Sequence, residues 1–552
     1  MIHASLHWID YAIVIVSVLL AVFVGIWFSK KQKSTKAYFA ASGNVPAWAV
    51  GMSMFATIIS SVTFLAYPGA AYGGNWILLV QGLMVPVVLV GLIGFIVPLY
   101  RKVIKLSTYE YFERRFGAFA RIYSSIAFIL ENFSKMGAVL YLMGLAMAMF
   151  MGGMDINTII IAIGIVIILL TYLGGMEAII WMDVAQGFLL IIGGLLTVGM
   201  LFYLTDGGPA TIFQVAGEFD KIDFGPYTLD LVNTTCLVMV LNGIFYAVQK
   251  YGTDQSIVQR YLTARDDKSA KKASYLGVMM SVPAWALFMF VGTCLFVYYH
   301  INSGILPQGI KDDEVFPFFI ATEMPVGITG LIIAALAAGA ISSIDSSINC
   351  ISACVVEDYY SRLLPHASDR SKLWVGKIAV LVVGVGSILV ALLYVSWGGQ
   401  GVLGSLFGLY AIISAGIVGI FLLGLFSRRA NWQGLYIGIA AAVLFTAYAV
   451  LTSKPFDMGG GEKQLLIDLG EEWNFKQSTY MLGVYSHLIV LVVGYLASLL
   501  FRTPLADKSL TIYGYLEERK EEKKKGHPHI IYIGAGTDTL PPERKEIKAA
   551  ST

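Results

Sequence analysis

Apolar residues run along this chain in blocks near the ~20 residues that a helix needs to cross a hydrocarbon core. The blocks fall at about 8–28, 46–71, 77–100, 120–150, 157–174, 178–204, 231–250, 274–299, 326–360, 373–397, 400–426, 432–452 and 479–501. The pattern predicts an all-α, polytopic membrane protein with about 13 transmembrane helices. The first block is not a cleaved signal peptide. Its apolar core is too long, and Lys30, Lys31, Lys33 and Lys36 follow it rather than precede it.

Polar residues inside these blocks carry the functional information. The ninth block contains Ala340-Ile-Ser-Ser-Ile-Asp-Ser-Ser-Ile-Asn349. At about 100° per residue, Ser342, Ser343, Asp345 and Ser346 share one helix face. Serines alone would read as glue between packed membrane helices. Asp345 tips the reading towards a site for a small hard cation such as Na⁺, because a carboxylate at bilayer depth costs a few kcal/mol.

Two blocks carry signs of a helix break. In the second, Phe55-Ala-Thr-Ile-Ile-Ser-Ser-Val-Thr63 places two serines and two threonines in nine residues. Their side chains compete with the backbone for hydrogen bonds, and unwinding there would free the carbonyls of Ala56 and Ile59. The seventh ends in Gln249-Lys-Tyr-Gly-Thr-Asp-Gln255. Breaks five helices apart are the expected sign of an inverted repeat with a binding site near the midplane.

Other buried polar groups fit that site. Gln81 sits in an apolar helix, where a substrate hydrogen bond is favoured over an unpaired amide. Lys135 either pairs with Glu131 one turn earlier or anchors an anionic substrate. Asp183 is either interfacial or an ion ligand. Lys250 is expected to snorkel its charge to the cytoplasmic face.

Composition narrows the class. Hydrophobic residues make up 57% of the chain and charged residues 13%, where a soluble domain carries about 25% charged. A net charge of +2 argues against nucleic acid. Cys236, Cys294, Cys350 and Cys354 lack zinc-ligand spacing and read as small hydrophobes. No nucleophile–base constellation appears, so the chain is not read as an enzyme. Gly534-Ala-Gly536 has no dinucleotide-site context, and His527-Pro-His529 is a weak metal motif. Lysine and arginine gather in alternate gaps, from Lys30–Lys36 to Arg428 and Arg429. That asymmetry predicts an inner-membrane protein with its N-terminus outside and its C-terminus cytoplasmic. The polar tail carries a charge run at Glu517–Lys525, read as a solvated helix or coil.

These residues resemble the sodium/solute symporter family. The likeness rests on Tyr38-Phe39 with Val45-Pro-Ala-Trp48, Phe55–Thr63, Thr108–Phe116, Gly174–Asp183, Asp254–Arg260, the Ser342 run and Leu422–Arg429, in that order. It implies a LeuT-like five-plus-five inverted repeat after one extra helix, with alternating access driven by Na⁺. The divisions are then an extra helix and loop at 1–45, a transport core at 46–430, two further helices at 431–502 and a cytoplasmic tail at 503–552. By position, a first Na⁺ site takes the carbonyls of Ala56, Ile59 and Gly339 with the hydroxyls of Ser342 and Ser343. A second Na⁺ site takes Asp183, Ser342, Asp345 and Ser346, with Asp345 standing where the family carries serine.

Within the family, Phe55–Thr63 and Thr322–Ile333 resemble the bacterial sialic acid branch. There, groups matching Ser60 and Thr63 hold the substrate carboxylate, with an arginine at the position of Lys135. The expected substrate groups are Ser60, Ser61, Thr63, Gln81, Lys135 and Gln249. Lysine at 135 keeps the charge but loses the bidentate fork, and Ile58 replaces a threonine. The expected function is Na⁺-coupled import of sialic acid or a related sugar acid by a monomer in the lipid bilayer. The alternatives are symport of a neutral sugar, polyol or monocarboxylate and, in another class, a membrane sensor with a transporter-like core.

Overall fold

A computed structural model of the chain describes residues 6–29, 34–151, 154–396, 416–453, 455–457 and 463–524. Nine helices among the described residues are long and apolar enough to cross a membrane, or ten if one broken pair is a single span. Besides helices there is one antiparallel hairpin, Pro455–Asp457 with Lys463–Leu465. Most of the eleventh apolar block, His527-Pro-His529 and Gly534–Gly536 lie outside the described residues.

The principal helices are α1 (Trp8–Ser29), α2 (Ala47–Ile58), α3 (Ser61–Gly73), α4 (Ile77–Val103) and α5 (Ala118–Phe150). There follow α6 (Ile156–Leu204), α7 (Cys236–Gly252), α8 (Gln255–Thr263), α9 (Asp267–Ile301) and α10 (Ile328–Cys354). The series ends with α11 (Asp369–Ser396), α12 (Ile417–Phe426), α13 (Trp432–Ser453), α14 (Thr479–Ser498) and α15 (Ile512–Lys524). The 49-residue α6 is two helices meeting at Gly175, whose φ of 59° and ψ of −171° suit glycine alone.

At the centre stands α10, 89% of whose apolar window is buried. It touches α1, α2, α3, α5, α6, α8 and α11. Alanine, glycine and serine dominate its sequence, and small side chains let neighbouring backbones approach closely. A Cβ on Gly339 would lie 3.4 Å from the Ser60 carbonyl carbon and the Ser61 nitrogen. Beyond Cys354 the chain widens into a π-helix, Val355–Tyr360. It turns the buried Asp358 carboxylate onto Arg121 Nε at 2.6 Å, with Ser107 and Ser125 each donating at 2.9 Å.

Three buried anchors fix the frame. The Asp10 carboxylate of α1 accepts the N–H groups of Gly327 and Gly330 at 2.7 and 2.8 Å. It thereby satisfies orphan donors at the start of α10 and complements its dipole. Arg115 donates to the carbonyls of Gly424, Ser427 and Ala430, closing the end of α12. Gly292 of α9 sits where any Cβ would meet the Pro68 carbonyl oxygen at 2.1 Å, so α9 presses on α3 backbone to backbone.

The tail is more engaged than its charge pattern predicts. The Tyr515 hydroxyl donates to the Gly94 carbonyl at 2.8 Å and Tyr513 to the Phe426 carbonyl at 3.0 Å. Lys102 pairs with Glu518 at 2.7 Å. Glu517, Glu518 and Glu521 are exposed, but the aromatic residues ahead of them strap α15 across α4 and α12. Arg101, Lys102, Arg115, Arg121, Arg362 and Arg428 all make contacts at this same end of the bundle.

Replacing Asp10 with alanine removes two charge-assisted bonds and is expected to cost about 2 kcal/mol. Denaturant unfolding in detergent checks this against Asp206→Ala, which alters an exposed carboxylate. Equal midpoints for the two variants would remove the assigned role of Asp10.

Candidate functional site

The first break falls at Ile59 and Ser60, where φ/ψ of −84°/111° and −116°/179° replace helical values. The flanking α2 and α3 differ in direction by 55°. Thr57 shows the competition at work, its hydroxyl donating to the Ser53 carbonyl at 2.8 Å. Facing the break, the Ser342 hydroxyl of α10 donates to the Ala56 carbonyl at 3.0 Å and lies 3.2 Å from the Gly339 carbonyl. Ser343 and Ser61 are buried, and neither hydroxyl has a hydrogen-bond partner among the described residues. Ala56, Gly339 and Ser342 thus meet at the break, with Ile59 and Ser343 as buried chain neighbours.

The second break lies at Thr253 and Asp254, between α7 and α8. Its consequence is the placement of Arg260, which is fully buried. Arg260 donates through Nη2 to Asp183 Oδ2 at 2.9 Å and to Ser346 Oγ at 2.8 Å. Its Nε donates to Ser53 Oγ at 2.8 Å, and Ser53 in turn donates to Asp183 Oδ2 at 2.5 Å. Asp183 is therefore a core residue with no exposure, not an interfacial one.

Asp345 is equally buried, and neither of its oxygens makes a hydrogen bond of normal geometry. It feels the charges of Asp183 and Arg260. Arg260 bonds the Asp183 carboxylate and not that of Asp345, and an ionised carboxylate without a bonded counter-charge is expensive in such a medium. The sequence reading named Asp183, Asp345 and Ser346 but not Arg260. The available signal was the need for a counter-charge, since two buried carboxylates cannot stand alone.

A third cluster joins α5 to α7. The Gln249 amide donates to Glu131 at 3.4 Å. Lys135 lies within electrostatic reach of Glu131, Lys250 and Asp254. Lys250 does not snorkel. Its ammonium bonds Asp254 at 2.6 Å, and its side chain is 16% exposed. One helical turn separates the two residues, and a carboxylate that close competes well with a distant interface.

The substrate residues named from sequence fall into two groups. Ser60, Ser61 and Thr63 are buried at the first break. Gln81, Lys135 and Gln249 sit on α4, α5 and α7; Gly243 of α7 packs directly on the Gln81 backbone. The helices α3 and α5 touch, bringing the two groups to neighbouring walls. Asn132, one turn from Lys135, accepts from Ser347 of α10 at 2.9 Å, which ties α5 to α10. Among the described residues no group of three or more His, Cys, Asp or Glu side chains could hold a metal ion.

Comparison with known proteins places this geometry. The model of the sodium:solute symporter family matches residues 38–441. A sodium/sialic acid symporter of Proteus mirabilis, SiaT, is 34% identical over 89% of this chain and 95% of its own length. Another, NanT of Aliivibrio fischeri, is 31% identical over 90% of this chain and 94% of its own. A solved structure of a Na⁺-coupled sialic acid symporter, substrate-bound and outward-open, superposes with a TM-score of 0.81 at 31% identity. It covers 90% of this chain and 99% of that one. The family match over residues 38–441, the full-length similarity to these relatives and the shared five-plus-five inverted-repeat fold have one reading: the chain belongs to the sodium:solute symporter family.

Proposed function

We propose that this protein imports sialic acid or a closely related sugar acid together with Na⁺. The observation that carries the reading is the meeting of the broken α2–α3 helix with Ser342 and Ser343 of α10. The names of its relatives support the substrate class. A first Na⁺ is held by the carbonyls of Ala56, Ile59 and Gly339 and the hydroxyls of Ser342 and Ser343. Hard oxygen ligands suit a hard cation, and the unpartnered Ser343 hydroxyl gains a partner when the ion arrives.

A second Na⁺ is held at Asp183, Ser342, Asp345 and Ser346. Asp345 supports it, since a buried carboxylate whose oxygens have no hydrogen-bond partner among the described residues gains one when a cation arrives. Lys135 holds the substrate carboxylate, with Ser60, Ser61, Thr63, Gln81 and Gln249 supplying hydrogen bonds around it. Na⁺ ties the two halves of the broken helix to α10 and so shapes the wall that holds the substrate. Each ligand then raises the affinity of the other by the same factor.

The chain divides into an extra helix to residue 45, a core at 46–430, two helices to 502 and a tail. It acts as a monomer in the inner membrane. The basic end that carries α15 faces the cytoplasm, as the lysine and arginine asymmetry requires, which places the N-terminus outside.

Three measurements test this. Sialic acid is expected to raise the melting temperature of the purified protein in NaCl and not in KCl. An equal shift in both salts would count against Na⁺ coupling. Ser343→Ala is expected to weaken both Na⁺ and substrate binding about tenfold, the worth of one ion ligand or hydrogen bond. Calorimetric titration reads both constants, and an unchanged Na⁺ dependence would remove the first site. Lys135→Gln is expected to lose about 10- to 100-fold in sialic acid affinity while Lys135→Arg retains it. Similar affinities for all three proteins would take the carboxylate away from Lys135.

A further inference from the structure

We propose that a groove at the basic end of the bundle binds an anionic phospholipid. The groove lies between α12, α14 and the segment leading into α15, and its volume is about 760 Å³. That is ample for a phosphate headgroup with the first part of its acyl chains. It has two chemically distinct parts. The floor is apolar, formed by Leu422, Leu491, Val492 and Leu496, with Val492 and Leu496 more than half exposed. The rim carries Arg428, Arg429, Lys508 and Glu517.

The rim has a net charge of +2. Lys508 bonds both Glu517 oxygens, at 2.8 and 3.1 Å, so that pair neutralises itself. Arg428 uses its Nε on the Ala506 carbonyl at 3.2 Å and holds its other nitrogens in reserve among the described residues. It also feels Asp507, but that carboxylate is engaged by the Ser509 N–H at 2.9 Å and does not line the groove. The Arg429 guanidinium is exposed and bonds no described residue.

The two parts together select the occupant. A soluble anion would answer the arginines but leave the apolar floor wet. A neutral lipid would cover the floor but leave two guanidinium groups without a counter-charge. A phosphodiester with acyl chains answers both, and arginine is suited to bidentate contact with phosphate. Basic pockets between membrane helices recognise anionic headgroups in this way. Tyr495 and Tyr513 also line the groove, and such rings favour the boundary between headgroups and acyl chains. One wall belongs to the tail, through Leu505 and Tyr513, so a lipid here fastens the tail to α12 and α14.

The test uses the full-length protein, delipidated in detergent and examined by native mass spectrometry. The probes are dioleoyl phosphatidylglycerol, dioleoyl phosphatidylcholine and glycerol 1-phosphate. The phosphatidylglycerol adduct is expected to exceed the phosphatidylcholine adduct about thirtyfold, given two arginines at roughly 1 kcal/mol each. Arg428→Gln/Arg429→Gln is expected to abolish that preference, while Arg114→Gln, at the same end but outside the groove, preserves it. Leu496→Trp fills the floor with the charges intact and is expected to lower phosphatidylglycerol occupancy, which separates loss of the site from loss of the fold. Equal adducts for the two lipids would overturn the proposal. So would a preference that survives both the double variant and Leu496→Trp, or glycerol 1-phosphate binding as strongly as the lipid.

Discussion

A hydrocarbon core offers no partner to a peptide group, so a helix can be interrupted there only where other protein atoms take over its bonds. The interruption at Ile59 and Ser60 is the feature on which this molecule turns. The Ala56 carbonyl, released by the break, is met by the Ser342 hydroxyl of α10. That in turn requires α10 to lie close, which its small residues permit. Burying α10 on all sides follows, and so does the crowd of helices around it. The site is less an addition to the fold than the reason its centre is built of glycine, alanine and serine.

Much of this can be read from the sequence, and the readable parts share a physical cause. Span-length apolar blocks and a serine-rich stretch inside one of them are local signals, and local signals survive in a linear chain. The position of the first break follows from the density of Ser and Thr between Phe55 and Thr63. The oxygen-rich face of α10 follows from helical periodicity alone. Resemblance to a known family then supplied the pairing of these two segments, which lie almost 300 positions apart.

What stayed hidden depends on contacts between distant segments. Arg260 follows a break in a polar stretch, and nothing within that stretch marks it as buried. Its burial is decided by Asp183 and Ser346, on two other helices. Lys250 reads as a snorkelling side chain until Asp254 is seen turned back towards it. The charge run Glu517–Lys525 reads as a solvated helix or coil, and its described residues up to Glu521 are exposed; the anchoring residues lie ahead of it. Tyr513 and Tyr515 reach carbonyls of Phe426 and Gly94, and no pattern within the tail itself announces such partners.

The grip of Asp10 on the start of α10 has a mechanical consequence. Only 6% of the apolar window of α1 is buried, so this helix lies on the outside of the bundle against α6 and α10, yet its carboxylate holds the central helix by two backbone donors. Any tilt or slide of α10 drags an outrigger through the acyl chains. The thickness and fluidity of the membrane thereby enter the energetics of the helix at the heart of the protein, through a residue near the other end of the sequence.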